Sequence, residues 1–358
     1  MDDLGERLAA RTLELVNIPS ESRHESEIRE HVLELVPDEL ALESSSDEAY
    51  LFCGERRPGV ALVVLAGHYD TVPAQANLPG RIEDGAVHGL GASDMKSGLA
   101  VAIELVRDVA AHEPGAVDVA LLLFGREELP IEHDPLPALL ESSHVLREAA
   151  IAIMLEPTAG EVHAGCLGNV IATVTFLGTS GHSARPWLSD NAISRAVEGL
   201  RPLVLLPRRD VAISGLEFAE TLSVTRLEAG IADNVIPDRA TATLSFRYAP
   251  DRTPREAEEC LRSLVPEGTT LEIVSNAAAG RVVTESSLVT ALLDAGARGV
   301  APKLAWTNVA DFTAYGIDAV NFGPGDPAFA HRRDERVDIA ALVHAYRTLW
   351  QVIAARSA

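Results

Sequence analysis

Two histidines and five carboxylates follow short apolar runs in this chain. After residues 60–66 comes Gly67-His68-Tyr69-Asp70-Thr71-Val72-Pro73. After residues 117–124 comes Gly125-Arg126-Glu127-Glu128, and after residues 151–155 comes Glu156-Pro157-Thr158. After residues 319–322 comes Gly323-Pro324-Gly325, with His331 shortly beyond. The loop Gly89-Leu90-Gly91-Ala92-Ser93-Asp94-Met95-Lys96-Ser97-Gly98 adds Asp94 just before a helical pattern. So many acids cannot share one site unless cations compensate them, because like charges in contact force protonation. Mixed imidazole and carboxylate ligands suit zinc, and their number suits two ions rather than one. Taken singly, each group also fits a plainer role: a Glu-Glu pair can be a solvated turn, and a histidine near a strand end can be solvated. Gly89-Leu90-Gly91 resembles a fragment of a dinucleotide loop, but Asp94 stands where the third glycine would be.

The elements that would hold these residues are legible as patterns. The apolar runs at 60–66, 117–124 and 151–155 are short and continuous, as in strands buried on both faces of a parallel sheet. Helical spacing occurs over residues 3–16, 28–36, 99–111, 287–298 and 339–354. Alternating strand and helix predicts an α/β layer architecture, with ligands beyond the carboxyl ends of the strands. Between them the texture changes. Alternating strands at 171–177, 221–228, 240–248 and 270–274 and helices at 191–205 and 254–264 give the order β-α-β-β-α-β, a ferredoxin-like unit. The expected division is a discontinuous catalytic domain, 1–169 and 282–358, with an inserted α+β domain at 170–281.

Composition excludes other classes. The chain has 358 residues, 53 acids and 30 bases, a net charge of −23, and only two lysines, Lys96 and Lys303. A phosphate backbone or an anionic membrane surface would repel it, so neither nucleic acid nor membrane is an expected partner. The acidic start, Met1-Asp2-Asp3, is unlike a signal peptide, and no apolar run approaches roughly 20 residues. Cys53, Cys166 and Cys260 form neither a disulfide framework nor a CxxC pair, so a cytoplasmic setting is expected. No Gly-x-Ser-x-Gly elbow occurs, which disfavours a serine hydrolase.

The joint pattern resembles the co-catalytic metallopeptidases that include aminoacylases, acetylornithine deacetylase and succinyl-diaminopimelate desuccinylase. The His68, Asp94, Glu127-Glu128, Glu156 and Ala330-His331 segments match that family's signatures in order. Gly181-His182-Ser183-Ala184-Arg185-Pro186-Trp187 and Asp190-Asn191-Ala192-Ile193 match its lid region. Asn234-Val235-Ile236-Pro237-Asp238 and Phe246-Arg247-Tyr248-Ala249-Pro250-Asp251 point to the actinobacterial desuccinylase branch. So do Gly323 to Pro327 and Ala330 to Arg336.

The resemblance implies a zinc-peptidase-like domain with an inserted lid and dimerisation domain, two Zn2+ per chain (Co2+ or Mn2+ as substitutes), and a homodimer. It implies that Asp94 bridges the ions, His68 and Glu156 complete one, and Glu128 and His331 complete the other. Asp70 would orient His68, Glu127 would be the general acid/base, and His182 an oxyanion donor reaching across a dimer. Arg185, Asn234, Arg247, Thr307 and Gly325 would hold the substrate, a small acyl-amino acid. The implied reaction is hydrolysis of N-succinyl-LL-2,6-diaminopimelate. The alternatives are another deacylase or dipeptidase of the family, or a catalytically silent binding homologue. Three stretches depart from the pattern: Gly165 to Asn169 lacks the arginines of other desuccinylases, Asp311 stands where a basic or neutral residue is expected, and residues 129–143 match nothing.

Overall fold

The computed structural model describes residues 3–113 and 115–354; Met1-Asp2 at the acidic start and the last four residues lie outside them. The chain forms two units. One comprises the residues up to Gly165, Val283–Ala301 and those from Asn308 onward; the other comprises Cys166–Val282 and Pro302–Thr307. The sequence reading set the boundaries at 169/170 and 281/282 and gave residues 302–307 to the first unit.

The first unit is built on an eight-stranded sheet. Its order is Ala41–Ser46, Ala49–Cys53, Asp118–Phe124, Leu62–His68, Ile151–Met154, Ala319–Asn321, Val162–Cys166, Val300–Lys303. The middle four strands run parallel, with His68 opposite Phe124 and Ala66 opposite Met154. Every residue of Leu62–His68, Asp118–Phe124 and Ile151–Met154 is buried, as their unbroken apolar sequences require. Helices Asp3–Val16, Lys96–Ala110 and Ile339–Ala354 share one core with this sheet, through Leu8, Leu15, Leu99, Ile103, Leu342, Leu349, Val63, Leu65, Leu121 and Ile153. Fully burying each such side chain stabilises the fold by about 1.5–3 kcal/mol. The contact is closest at Gly98, where a Cβ would stand 2.1 Å from the carbonyl oxygen of Leu155. Only glycine lets the first turn of that helix, and Asp94 before it, approach the strand end that carries Glu156.

The second unit is a five-stranded antiparallel sheet in the order Arg209–Ile213, Leu216–Ala229, Arg239–Tyr248, Gly168–Leu177, Thr270–Ala277. Helices Ala192–Val204 and Pro254–Leu264 bury Ala196, Leu200, Ala257 and Leu261 against Val174, Phe176, Leu244 and Phe246. Thr253 and Glu256 form a capping box at the start of Pro254–Leu264, which satisfies two otherwise bare backbone donors. Leaving aside Arg209–Ile213, the strands have the ferredoxin-like order. Arg209–Ile213 is an addition that the sequence reading lacked. It joins Leu216–Ala229 through Ser214-Gly215, both at positive φ, the requirement of a two-residue primed hairpin turn.

Two stretches without a sequence account meet in the first unit. Residues 129–143 form a short 3-10 turn, Ile131–His133, and the helix Leu136–Ser142, and the segment 307–312 opens the helix Val309–Ala314. The side-chain amide of Asn308 donates to Asp134 at 2.8 Å and to Asp311 at 2.9 Å. Burial pushes the Asp134 carboxyl up to about 6. Burial, and Asp134 beside it, push the Asp311 carboxyl well above its ordinary range. Burial thus favours the protonated form of both acids. A folded-state pKa above the unfolded one gives stability that is complete in acid and lost as pH rises through about 6. Asp134→Asn, which removes the group that titrates there, should remove that loss. At pH 8 the variant is expected to be more stable than the wild type by roughly 1–3 kcal/mol, with a smaller gap at pH 5. Thermal unfolding at both pH values checks this; parallel pH profiles would refute it.

Candidate metal centre

His68 is the last residue of its strand, which ends two residues later than the Ala66 expected from the sequence. Its backbone N–H meets the Met95 sulfur at 3.4 Å, and its ring is fully buried. Nδ1 faces the backbone oxygen of Asp70 at 3.1 Å and Oδ1 of Asp70 at 3.3 Å. Nε2 faces Asp94 Oδ1 at 3.4 Å and Glu156 Oε1 at 3.7 Å. On the other side of Asp94, Oδ2 lies 3.6 Å from His331 Nε2, which also contacts Glu128 Oε1 at 2.9 Å. Ligand atoms of His68, Asp94 and Glu128 all lie within 4.8 Å of one another. Asp94 thus stands between two imidazoles, with Glu156 on the His68 side and Glu128 on the His331 side.

Asp70 anchors this arrangement from below. Its carboxylate accepts from the Ser22 hydroxyl at 2.6 Å and from the backbone N–H groups of Glu127 at 3.1 Å and Glu128 at 3.2 Å. Burial alone would raise its pKa; His68, Ser22 and the Glu128 amide override that and lower it. One ionised carboxylate therefore fixes both the His68 ring and the Glu127-Glu128 backbone.

The other acids are pushed the opposite way. Burial, reinforced by Glu156, Glu128 and Asp94, holds the Glu127 carboxyl well above its ordinary range. Burial also raises Glu128. Burial would lower the His68 imidazole, but Asp70 and Asp94 raise it overall, and Glu128 raises His331 to about 9. Carboxyls driven toward neutrality beside imidazoles driven toward charge mark an uncompensated negative potential, which a cation relieves. His68 Nε2, buried with no hydrogen-bond partner, is the atom whose burial a metal bond explains. The donors are imidazole nitrogen and carboxylate oxygen, a set that fits zinc or its usual substitutes.

The sequence reading gave no separate role to Glu335 and only a general contact to Lys96. Glu335 is 2% exposed and accepts hydrogen bonds from the backbone of the Asp94 loop. Burial pushes its carboxyl up to about 7. Lys96 is buried, donates to the Ile18 carbonyl at 2.7 Å, and is pushed by desolvation down to about 7 against the pull of Glu335 and Asp70. Gly325 packs so closely that a Cβ would stand 2.3 Å from the Ser93 carbonyl oxygen.

The remaining candidates belong to the second unit. His182 lies on the short strand Gly181–His182, which pairs with Val235–Ile236. Its Nδ1 accepts from the Ala184 N–H at 3.0 Å, its carbonyl from the Arg185 N–H at 2.8 Å, and the Asn234 carbonyl from the Ser183 N–H at 3.0 Å. His182, Arg185 and Asn234 therefore share one backbone turn. Arg247 sits opposite Asn169 on Arg239–Tyr248, half-buried, its pKa lowered by burial. Thr307 is buried with its hydroxyl unpaired, and its carbonyl faces the Cys166 thiol at 3.5 Å. None of the three cysteines is in a disulfide, and no helix among the described residues is long and apolar enough to cross a membrane.

An α/β sheet that gathers two imidazoles and several carboxylates at its strand ends has the donor set of a metal-dependent enzyme. Comparison with known proteins identifies the lineage. The model of "Peptidase family M20/M25/M40" matches residues 64–355. A Mycobacterium tuberculosis (strain CDC 1551 / Oshkosh) protein is 39% identical over 337 residues, 93% of this chain and 94% of its own length. The succinyl-diaminopimelate desuccinylase of Corynebacterium glutamicum is 36% identical over 362 residues, 97% of each chain. A Bacillus subtilis protein described as a dinuclear metal binding peptidase superposes with a TM-score of 0.66 at 16% identity, over 98% of both chains. The chain belongs to peptidase family M20/M25/M40.

Proposed function

We propose that the chain hydrolyses N-succinyl-LL-2,6-diaminopimelate to succinate and LL-2,6-diaminopimelate in the cytoplasm, as a homodimer with two zinc ions per chain. The observation that carries the reading is that Asp94 stands between His68 Nε2 at 3.4 Å and His331 Nε2 at 3.6 Å, with the Glu127 backbone fixed on Asp70 beside them, in a chain 36% identical to a named desuccinylase. Asp94 would serve both ions, His68 and Glu156 one, and Glu128 and His331 the other. Bound there, the ions supply Lewis acidity toward the amide carbonyl and toward water. Glu127 takes the proton of the attacking water as the C–O bond forms, then delivers it to the amine nitrogen as the C–N bond breaks. Asp70 keeps the His68 ring and the Glu127-Glu128 backbone fixed through both steps. His182 would donate to the developing oxyanion from the partner subunit. Arg185, Asn234 and Arg247, with Thr307 and Gly325, would hold the substrate. Arg247 suits a carboxylate best, because a half-buried guanidinium gains most from a bidentate acid.

A panel of succinylated, acetylated and dipeptide substrates, assayed with added zinc, tests the reaction. Succinyl-diaminopimelate should be turned over best; preference for an acetyl donor or a dipeptide would move the chain to another branch of its family. Glu127→Gln should keep its metal content and lose roughly two to four decades of kcat. Near-native turnover in that variant would end the acid/base assignment.

Support for the dimer comes from the second unit. Helix Ala192–Val204 exposes Ile193, Val197 and Val204 along one side, with Leu205 following. Among the described residues, 221–229 pair only with Arg239–Tyr248, which leaves their other edge open there. Exposed apolar stripes and open strand edges are surfaces that association covers. Val197→Asp should shift sedimentation from dimer to monomer and reduce activity. Full activity from a wild-type chain that sediments only as monomer would contradict the dimer.

A further inference from the structure

Glu335 is a buried acid placed next to a centre already crowded with acids. Its oxygens are fully engaged. Oε2 accepts from the Gly91 N–H at 3.0 Å, and Oε1 accepts from the N–H groups of Ser93 and Asp94, each at 3.0 Å. Its own carbonyl accepts from the Gly89 N–H at 3.1 Å. Four amides of one loop thus converge on one residue. The loop is tied in further places: the Ser93 hydroxyl donates to the Asp326 carbonyl at 2.8 Å, and the Lys96 N–H to the Gly91 carbonyl at 2.8 Å.

Glu335 also has a fixed place on the opposite segment. It stands four residues after His331 and directly before the strand Arg336–Asp338. That strand pairs with Ala86–His88, Arg336 opposite His88, at the point where the Asp94 loop begins. The carboxylate therefore joins the backbone that presents Asp94 to the backbone that presents His331. A buried carboxylate is costly unless its lone pairs are filled. Filling them with three amides of a ligand-bearing loop spends that cost on fixing the loop.

We infer that Glu335 is the positioning residue of the metal centre: it holds Asp94 between the two ion sites and ties that loop to the His331 segment. This rests on the two-ion reading above. It has a consequence that the loss of a single ligand would not have. Because Asp94 faces both imidazoles, releasing it weakens both ions together. Loss of Glu156 or Glu128 should instead weaken mainly the ion on its own side.

The test is a zinc titration of the metal-stripped full chain against a chromophoric competitor, for wild type, Glu335→Gln, Glu335→Ala and Glu128→Gln. The temperature is one at which circular dichroism shows each metal-free variant folded. Glu335→Ala should weaken both zinc sites by about 10–100-fold, the scale on which partners of metal ligands act. Glu335→Gln, which keeps one acceptor oxygen, should weaken both by less. Glu128→Gln should weaken one. At saturating zinc, kcat of Glu335→Gln should return to within a few-fold of wild type with KM unchanged, which a general packing defect would not give. If Glu335→Ala does not fold, Glu335→Gln decides alone. Native zinc affinity in a folded Glu335 variant, or loss confined to one site, overturns the inference and leaves the two-ion reading intact. A wild-type chain that takes up no zinc overturns both.

Discussion

Negative charge is crowded at the carboxyl end of the parallel strands, and the structure around it is organised by the need to neutralise or fix each carboxylate. Asp70, Asp94, Glu127, Glu128 and Glu156 meet there with two imidazoles as the opposing groups. Three means of relief are visible. Asp70 is stabilised as an anion by a hydroxyl, two amides and His68. Glu335 is held by amides with Lys96 nearby. Asp94, Glu128 and Glu156, with the imidazoles, are left to a cation. The chain gives backbone N–H groups to Asp70 and Glu335 and sets Asp94, Glu128 and Glu156 against the imidazoles.

Much of this was legible in the sequence because strand ends in a parallel sheet announce themselves. Runs such as Leu62 to Ala66 are buried on both faces, so the residue types that break them are conspicuous, and His68, Glu127 and Glu156 stand at such breaks. The structure extended the first of these strands at its end, carrying His68 into it. Of the strands that were missed, Ala49–Cys53 is a short apolar run, but others have none. Ala41–Ser46 is a largely exposed edge strand reading Ala-Leu-Glu-Ser-Ser-Ser, and Arg209–Ile213 is an exposed strand with charged residues at its start. Periodicity has little to detect there.

The contacts that were not legible are those between distant segments. Glu335 lies in a stretch of Arg, Asp and Glu that reads as a solvated turn, yet its partners are more than 240 residues earlier. Asp311 looked anomalous in the sequence, and the stretch that holds Asp134 matched nothing. Together they are one acid pair bridged by Asn308. An acidic surface and an acidic interior have the same composition, so the net charge of −23 could not indicate which carboxylates were buried. Folding decides that, by bringing segments together that share no local pattern.

The discontinuity of the first unit has a consequence for the order in which the protein can be made. Ala319–Asn321 lies within the main sheet, hydrogen-bonded to Ile151–Met154 on one side and Val162–Cys166 on the other. A ribosome adds residues at about 5–20 per second, so the main sheet waits many seconds with a gap in its middle. Except for six late residues, the second unit is one uninterrupted segment, Cys166–Val282. Its strands and helices are all synthesised before that gap can close. The nascent first unit therefore exposes two unpaired interior strand edges while its neighbour is being completed. Those edges are where a chaperone, or a wrong partner, would first find this chain.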